Sequence, residues 1–412
     1  MLTLYYRLRA VLVPMLLRLL ARRQPMVSRG AGSARELCAQ LPLLGFNRAL
    51  LVTDKVLHEG GIIDGVKRAL QESGVEVAIY DGVLPDPTFQ QVCEGVALIQ
   101  SSGAQAVVAA GGGSVMDAAK LMGLMHTNPS TLEQFARPNL FRKPGLPLFA
   151  IPTTAGTGSE VTPVAVITDP ETHQKTPVAD AGMMPAYVAL DADIMRGLPP
   201  GITAATGMDA LTHAVESFLS KASDDGTERQ AVAAVRLIFD NLPRACADGE
   251  DLAARDAMAL AAYYAGSAFS RTSVGYAHAI AHQLGRVCGT PHGNANAMVL
   301  PEVLELYGDC VHARLAELAR RAGTDSSGAQ DAQVARGFID SIARLRSDLD
   351  LPLLPRGLKN EHVPDIVSEA LSEAGNLYPV PRYASAEEIG SIVRGLLPAT
   401  QPEELELRTH GH

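Results

Sequence analysis

The chain has 412 residues, of which 47% are hydrophobic and 19% are charged. A chain of this length and composition folds into two or more globular domains and is neither fibrous nor intrinsically disordered. Its formal net charge of −10 argues against nucleic acid as a partner, because no excess of basic residues is present to neutralise phosphates. The five cysteines are scattered and form no Cys-x-x-Cys pair, which is typical of a protein of the reducing cytoplasm.

The first 30 residues contain an apolar run from residue 10 to residue 20 that is flanked by arginines. The run is too short to cross a bilayer, and Pro14 and Arg18 interrupt it, so we expect no transmembrane span. The residues after it make a poor cleavage site, which disfavours a signal peptide. We expect a leader helix that packs on its own protein or on a neighbouring subunit; a helix lying on a membrane surface is the alternative.

From Asn47 to about Asp193, within a predicted domain of residues 31–199, short β-branched segments alternate with segments in which apolar residues have helical spacing. This alternation predicts a Rossmann-like α/β domain with a parallel sheet covered by helices on both faces. The predicted strands are Ala49–Thr53, Val75–Tyr80, Ala106–Ala110, Leu148–Ile151, Val164–Thr168 and Val188–Leu190. The helices predicted between the first three strands are Leu57–Ser73 and Phe89–Ser102.

The strand signals end near Asp193, and two prolines and a glycine at Leu198–Gly201 predict a domain boundary there. Residues 200–412 are predicted to form an all-helical domain, so that the fold class is α/β plus all-α. The predicted helices include Glu228–Asn241, Leu252–Ala268, His278–Leu284, Val311–Ala322 and Asp331–Leu345. The tail after Pro398 is polar, and we expect none of its histidines to bind a metal.

A glycine-rich turn at residues 111–114 joins the predicted strand Ala106–Ala110 to a predicted helix. Glycines let a backbone approach an anion closely, and the amino end of a helix attracts a pyrophosphate. Ser114 and Asp117 are predicted to cap this helix as a Ser-x-x-Asp pair. The stretch is neither a Walker A loop nor a Gly-x-Gly-x-x-Gly motif, so a tight turn without a ligand explains it equally well.

Two further features favour a dinucleotide, and NAD over NADP. Asp54 follows the first clear strand, where a carboxylate can accept hydrogen bonds from an adenosine ribose and repel a 2′-phosphate. Capping the helix that begins near Lys55 is an equal alternative for this residue. Residues 152–160 form a loop rich in hydroxyl groups and glycines after another strand, and such loops are where parallel sheets bind ligands.

Five residues of the second half have the chemistry of a metal site. Asp209 and His213 are four residues apart, which places them on one face of a helix, and His278 and His282 repeat that spacing. His292 lies in a predicted turn between a proline and a glycine. The helices are otherwise apolar, so burying unpaired imidazoles and a carboxylate would be costly, and a cation would remove that cost. Surface hydrogen bonds and isolated core histidines are the alternative interpretation.

Four stretches together resemble the iron-containing (group III) alcohol dehydrogenases. They are GGGSVMDAAK at 111–120, PTTAGTGSE at 152–160, GMDALTH at 207–213 and HAIAHQLGRVCGTPHG at 278–293. The resemblance covers the chain from about Phe46 to the C-terminus. It implies an N-terminal dinucleotide-binding α/β domain, a C-terminal all-helical metal-binding domain, and an active site in the cleft between them.

The resemblance also implies roles for single residues. The implied ligands of an Fe²⁺ ion are Asp209, His213, His278 and His292, although Zn²⁺ or another divalent metal suits the same oxygen and nitrogen donors. His282 matches a position beside the nicotinamide and the substrate, and we hypothesise that it carries the substrate proton to solvent. The implied cofactor-binding residues are Asp54, Gly112, Gly113, Ser114, Thr153, Thr154, Thr157 and Lys175, to which we add Asp117 as the predicted cap partner of Ser114.

The implied reaction is a reversible hydride transfer between a primary alcohol or diol and NAD, giving an aldehyde. We expect a small alcohol or aldehyde as substrate and a homo-oligomer, in the form of a dimer. Two departures from the family pattern bear on the substrate. Pro163–Ala165 is apolar where the members that act on small diols are polar, and Arg271 could bring a cation near the pocket. A cation that anchors a carboxylate would favour the alternative, a hydroxyacid–oxoacid transhydrogenase. A related lyase or a non-catalytic scaffold accounts less well for a complete set of ligand and cofactor motifs.

Overall fold

The computed structural model describes residues 15–16, 18–136, 142–169, 171, 175–325 and 327–398. Residues 1–14 and 17 of the predicted leader, and the polar tail after Pro398, lie outside these residues. At the end of the leader, Leu20 and Ala21 are buried, and the Arg18 guanidinium donates a hydrogen bond to the carbonyl of Ala222 at 3.0 Å. This part of the leader therefore packs on its own protein.

A six-stranded, wholly parallel sheet forms the centre of the first half. The strands of this half are β1 (Met26–Arg29), β2 (Arg48–Val52), β3 (Glu76–Tyr80), β4 (Ala106–Gly111), β5 (Leu148–Pro152), β6 (Val164–Thr168), β7 (Lys175–Ala179) and β8 (Tyr187–Leu190). The spatial order in the sheet is β1-β8-β5-β4-β2-β3. Strands β4 and β5 are buried along their whole length, as expected of central strands that are covered on both faces.

Helices cover the two faces of this sheet. They are α1 (Ser33–Gln40), α2 (Lys55–Glu59), α3 (Asp64–Glu72), α4 (Phe89–Ser102), α5 (Gly113–Thr127) and α6 (Leu132–Ala136). Because side chains alternate along a strand, Leu50 and Val52 of β2 enter one hydrophobic core, whereas Ala49 and Leu51 enter the other. The predicted α/β architecture is confirmed.

The structure differs from the sequence predictions at three places in this half. Strand β6 does not join the parallel sheet; it pairs with β7 as an antiparallel two-stranded sheet. Strand β1 was not predicted, and it lies in the stretch that we assigned to the leader. The predicted helix Leu57–Ser73 is two helices, α2 and α3, because the chain turns at Gly60 and Gly61, and Gly61 has a left-handed φ of 72°.

In the second half, the described residues form helices and the connections between them, and no strand. Its helices are α7 (Pro200–Leu219), α8 (Asp225–Ala247), α9 (Leu252–Thr272), α10 (Tyr276–Cys288), α11 (His292–Tyr307), α12 (Asp309–Ala322), α13 (Asp331–Asp348), α14 (Val363–Leu377) and α15 (Ala386–Gly395). Helix α7 begins at Pro200, a residue that suits the first turn because it lacks an N–H group. Nearly all of α7 from Gly207 onward is buried, so this helix is the centre of the helical half. Among the described helices, none combines the length and the hydropathy that a membrane span needs.

Two glycines allow the halves to touch at backbone distance. Gly158 follows β5 and has a left-handed φ of 60°, and Gly266 lies in α9. A Cβ atom on Gly266 would be 2.7 Å from the Cα atom of Gly158, which is closer than real Cβ contacts. The residues around the hydroxyl-rich loop are therefore held directly against the helical half.

Candidate active site

Three of the four predicted metal ligands meet in the helical half. Asp209 comes from α7, His278 from α10, and His292 from the first residue of α11. One potential ligand atom of each lies within 4.8 Å of the others. The Oδ1 atom of Asp209 is 3.6 Å from Nε2 of His278 and 3.5 Å from Nε2 of His292. Asp209 and His278 are almost fully buried, whereas the side chain of His292 is 34% exposed.

The fourth predicted ligand, His213, lies beside this group but is not part of it. Its buried ring stacks between those of Phe269 and His278, at centroid distances of 4.2 Å and 4.4 Å. Its Nδ1 atom is buried and has no hydrogen-bond partner among the described residues. Buried polar atoms are normally paired, so an orphaned imidazole nitrogen at this place is consistent with a missing ligand.

The amide of Asn296, one turn after His292 in α11, lies among the same atoms. Its Nδ2 atom donates to Oδ1 of Asp209 at 2.7 Å and lies 3.2 Å and 3.3 Å from Nε2 of His278 and His292. Its Oδ1 atom is buried without a partner. A carboxylate, converging imidazoles and orphaned polar atoms fit a divalent cation, and the lack of thiolates suits Fe²⁺ as well as Zn²⁺.

The pKa values of these groups depend on burial and on one another. Burial raises the pKa of Asp209, but the neighbouring histidines outweigh it, so the net shift is downward. Burial lowers the pKa of His213 to about 3 and that of His292 well below its usual value. Both rings are therefore neutral near pH 7, which is the form that binds a metal. Burial also lowers the pKa of His278, but the carboxylates of Asp209 and Glu216 outweigh it and raise the value to about 9.

Glu216 is a functional candidate that our sequence reasoning missed. Its side chain is 4% exposed, and its Oε2 atom is 2.6 Å from Nδ1 of His278. A signal was present in the sequence, because Asp209, His213 and Glu216 are spaced i, i+4 and i+7, which places them along one face of α7.

His282 also has a carboxylate partner. Its Nδ1 atom is 2.7 Å from Oε1 of Glu373 in α14, and its ring stacks on that of His292 with centroids 5.2 Å apart. Glu373 additionally accepts hydrogen bonds from Gln283, at 3.3 Å, and from the hydroxyl of Tyr378. Burial raises the pKa of Glu373, but His282, Tyr378 and Gln283 together outweigh it and the net shift is downward. Glu373 lies 91 residues after His282, so no local pattern could have revealed it.

The glycine-rich turn and the hydroxyl-rich loop face each other at the carboxyl ends of β4 and β5. A Cβ atom on Gly113 would lie 2.8 Å from Cγ2 of Thr157, and one on Gly112 would lie 3.5 Å from Oγ1 of Thr154. The backbone N–H of Thr153 donates to the carbonyl of Gly111 at 3.0 Å. The structure therefore brings together the two motifs that we predicted to bind the cofactor, next to the amino end of α5.

The predicted cap pair of α5 is wrong. Gly112 is the N-cap residue and has no side chain, and the hydroxyl of Ser114 donates instead to the carbonyl of Pro85. Asp117 accepts from the backbone N–H of Val166 at 2.9 Å and from the hydroxyl of Ser159 at 2.6 Å. Its carboxylate thus ties α5 to β6 and to the hydroxyl-rich loop.

A buried lysine, Lys120, also links α5 to the hydroxyl-rich loop and to β6. The Nζ atom of Lys120 donates to Oγ of Ser159 at 2.6 Å, to Oγ1 of Thr162 at 2.9 Å and to the carbonyl of Val164 at 2.7 Å. It is also 3.5 Å from Oδ1 of Asp117. The loop is consequently held in one position relative to α5.

The other two predicted cofactor residues have partners within the protein. Oδ1 of Asp54 accepts from the backbone N–H of Leu57 at 2.9 Å, so Asp54 caps α2, which is the alternative role considered from the sequence. Lys175 forms an ion pair with Asp86 at 2.9 Å, beside the residue whose carbonyl binds Ser114.

A cleft of about 840 Å³ opens onto the metal-ligand group. Asp209 and His292 line it, together with Thr157 of the hydroxyl-rich loop and Pro200 at the start of α7. Ligand and cofactor motifs from both halves of the chain therefore share one cleft. A cleft of this size holds a small ligand.

Arg271 does not line this cleft. Its guanidinium forms an ion pair with Asp224 at 3.2 Å, and Asp224 also caps the start of α8. The cation that we expected near the pocket is thus engaged elsewhere, which removes the observation that favoured a transhydrogenase. Ala165, in the apolar segment Pro163–Ala165, is buried in the protein core.

Comparison with known proteins decides the family. The family profile described as iron-containing alcohol dehydrogenase matches residues 25–192, and the profile of the C-terminal domain of the Fe-containing alcohol dehydrogenase family matches residues 203–397. The chain belongs to the iron-containing alcohol dehydrogenase family. The fold, the reaction class and the cofactors predicted from the motifs are thereby confirmed: the protein is an NAD-dependent oxidoreductase acting on CH–OH groups, and its family is an iron-containing one.

Individual relatives match over nearly their whole length. The NAD-dependent methanol dehydrogenase of Bacillus methanolicus is 37% identical over 370 residues, which cover 89% of this chain and 97% of that protein. The 1,3-propanediol dehydrogenase of Klebsiella pneumoniae is 40% identical over 356 residues, covering 85% and 92%. A crystal structure of a 1,3-propanediol oxidoreductase superposes with a TM-score of 0.87 at 38% identity, covering 91% and 98%.

Proposed function

We propose that this dehydrogenase interconverts small primary alcohols or diols with their aldehydes, and that Asp209, His213, His278 and His292 hold its metal ion. The observation that carries the proposal is the convergence of three ligand atoms within 4.8 Å, at a cleft shared with the hydroxyl-rich loop. His213 is included because its orphaned Nδ1 lies beside the group. Two relatives are named for methanol and 1,3-propanediol, which supports small alcohols as the substrate class.

The protein's own residues would bind and orient the reactants. When bound, the metal supplies Lewis acidity towards an alcohol oxygen, and NAD accepts the hydride. Gly112 and Gly113 offer backbone N–H groups to the pyrophosphate at the amino end of α5, while Thr153, Thr154 and Thr157 surround it with hydroxyl donors. Ser114, Asp117 and Lys175 hold the elements on which these groups lie. Asp54 would accept from the adenosine ribose in addition to capping α2.

His282 would carry the substrate proton away from the site. Its ring stacks on that of His292, and its Nδ1 is held by Glu373, which leaves Nε2 as the atom that can accept a proton. A His282→Gln variant should retain its full metal content and lose the pH dependence that the relay imposes on the rate. Unchanged pH–rate behaviour in a fully loaded variant would reject this role.

The experiment that tests the function is anaerobic reconstitution with Fe²⁺, followed by a screen of NAD⁺ reduction over short primary alcohols, 1,2-diols and hydroxyacids. We expect turnover with alcohols or diols that depends on added metal and is absent in His292→Ala. A matched control is His362→Ala, which removes a histidine that lies outside the cleft. Turnover without free NAD⁺, with a hydroxyacid and an oxoacid as the substrate pair, would instead identify a transhydrogenase.

We also propose the domain division, the location and the assembly. Residues 31–199 would form the NAD-binding domain and residues 200–412 the metal-binding domain, with residues 1–30 as a leader. All five cysteines are free thiols, which supports a cytoplasmic location. A homodimer is the proposed assembly, and light scattering on the purified protein would test it.

A further inference from the structure

We propose that Glu216 is a positioning residue of the metal centre: its carboxylate holds the Nδ1–H group of His278, so that Nε2 of that ring faces the ion. The inference deepens the proposed function, because it rests on His278 being a ligand. Metal-binding histidines commonly donate their second ring N–H to a carboxylate, which fixes the tautomer and the orientation of the ring.

The hydrogen-bond partners of the Glu216 carboxylate are all donors. Oε2 accepts from Nδ1 of His278 at 2.6 Å and from the backbone N–H of Gly275 at 2.8 Å, and Oε1 accepts from the backbone N–H of Ala277 at 2.8 Å. All these bonds are buried. Because the carboxylate only accepts, Nδ1 of His278 carries a proton, and Nε2, which faces Asp209 and the amide of Asn296, is the nitrogen that can offer a lone pair to a metal.

Two carboxylates of helix α7 therefore flank the ring of His278, and the one of Glu216 holds it by a hydrogen bond. Asp209 lies 3.6 Å from Nε2, and Glu216, two turns later on the same face of the helix, lies 2.6 Å from Nδ1. A flip of the ring about its Cβ–Cγ bond would break the hydrogen bond to Glu216 and turn a carbon atom towards the metal position. Because Asp209 and Glu216 are seven residues apart on one face of α7, together they set the orientation of the His278 ring, which belongs to α10.

The carboxylate of Glu216 packs closely against the backbone at Gly275. A Cβ atom on Gly275 would be 2.7 Å from Oε1 of Glu216, a distance at which one of the two groups must move. Gly275 is also the N-cap residue of α10, the helix that carries His278. Its lack of a side chain lets the carboxylate reach the first N–H groups of α10, where a negative charge is favourable.

A glutamine cannot replace Glu216 in this place. An amide nitrogen at the Oε2 position would face the N–H groups of Gly275 and His278, and one at the Oε1 position would face that of Ala277. Glu216→Gln therefore keeps the size of the side chain but places its amide NH₂ group against at least one of these N–H donors. Glu373→Gln is the matched control, since Glu373 makes a similar contact of 2.7 Å with His282, which is not a proposed ligand.

The test measures metal affinity in a competition titration against a chelator, with Zn²⁺ and with anaerobic Fe²⁺. We expect Glu216→Gln to bind either metal about 10- to 100-fold more weakly than wild type. Glu373→Gln should bind as wild type does. In the Zn²⁺-loaded proteins, ring ¹⁵N chemical shifts should change at His278 in Glu216→Gln and at His282 in Glu373→Gln.

Gly275→Ala is the second variant, because it displaces the carboxylate without removing its charge. Weaker metal binding in Gly275→Ala supports the inference even if Glu216→Gln does not fold. Two folded variants with wild-type affinity, or unchanged shifts at His278, would overturn it while leaving the proposed function intact. A wild-type protein that binds no divalent cation would overturn the proposed function and this inference together.

Discussion

Replacing Lys120 with methionine tests how the hydroxyl-rich loop is held. The substitution preserves most of the side-chain volume and removes one ammonium group, which is fully buried and bound by two hydroxyls and a carbonyl at 2.6–2.9 Å. Hydrogen bonds to a charged group contribute about 1.5–3 kcal/mol each. Burial opposes the charged form and lowers the pKa of Lys120, so these contributions do not add in full.

The nearest measured case is the removal of one partner from a buried ion pair, which costs about 3–5 kcal/mol. We expect a loss of that size, since Asp117, Ser159 and Thr162 lose their shared donor. The assay is urea unfolding, with the midpoint falling and the slope unchanged. The KM for NAD⁺ should also rise, because the loop that faces Gly113 would no longer be fixed.

The control is Lys55→Met, which makes the same chemical change at an exposed position. Lys55 pairs with Glu59 at 3.6 Å across one helical turn, and such a pair contributes only about 0.3–0.5 kcal/mol. The reasoning would be refuted by a Lys120→Met variant that is as stable as Lys55→Met and has the KM of wild type.

Three other substitutions address single contacts. Gly266→Ala should destabilise the protein by about 1–3 kcal/mol in urea unfolding, because its Cβ would overlap Gly158, whereas Gly337→Ala, with open space around it, should cause no loss. Burial raises the pKa of Glu160 from 4.5 to about 7, so its ionisation should destabilise the folded state by roughly 3 kcal/mol as pH rises through that interval. Glu160→Gln should therefore gain stability over wild type between pH 5 and pH 8 in thermal unfolding; an advantage that does not change with pH would contradict the assignment. Asp54→Asn keeps a good N-cap, so unfolding should be unchanged while kcat/KM for NADP⁺ rises relative to NAD⁺; a fixed ratio would leave Asp54 with its capping role alone.

The parts that the sequence predicted well depend on short-range patterns. The strands β4 and β5 were evident as continuous apolar runs, and the pairs Asp209/His213 and His278/His282 were evident from their four-residue spacing. A run or a spacing of this kind is visible within a few residues of sequence, and the apolar residues around it predict burial.

The parts that could not be predicted are set by contacts between distant residues. Nothing near Asp117 indicates that its partners are Val166 and Ser159, so the local Ser-x-x-Asp pattern suggested a cap that does not form. Glu373 reaches His282 across 91 residues. Arg271 was considered as a cation near the pocket because it lies in the segment just before His278, but its partner is Asp224, 47 residues away in the sequence.

All four proposed metal ligands belong to α7, α10 and α11, whereas the glycine-rich turn and the hydroxyl-rich loop belong to the sheet half. All of the protein's proposed metal ligands thus come from one half of the molecule. We therefore expect that removing NAD leaves all four proposed metal ligands in place. In this arrangement we expect the protein to bind its metal whether or not the coenzyme is present.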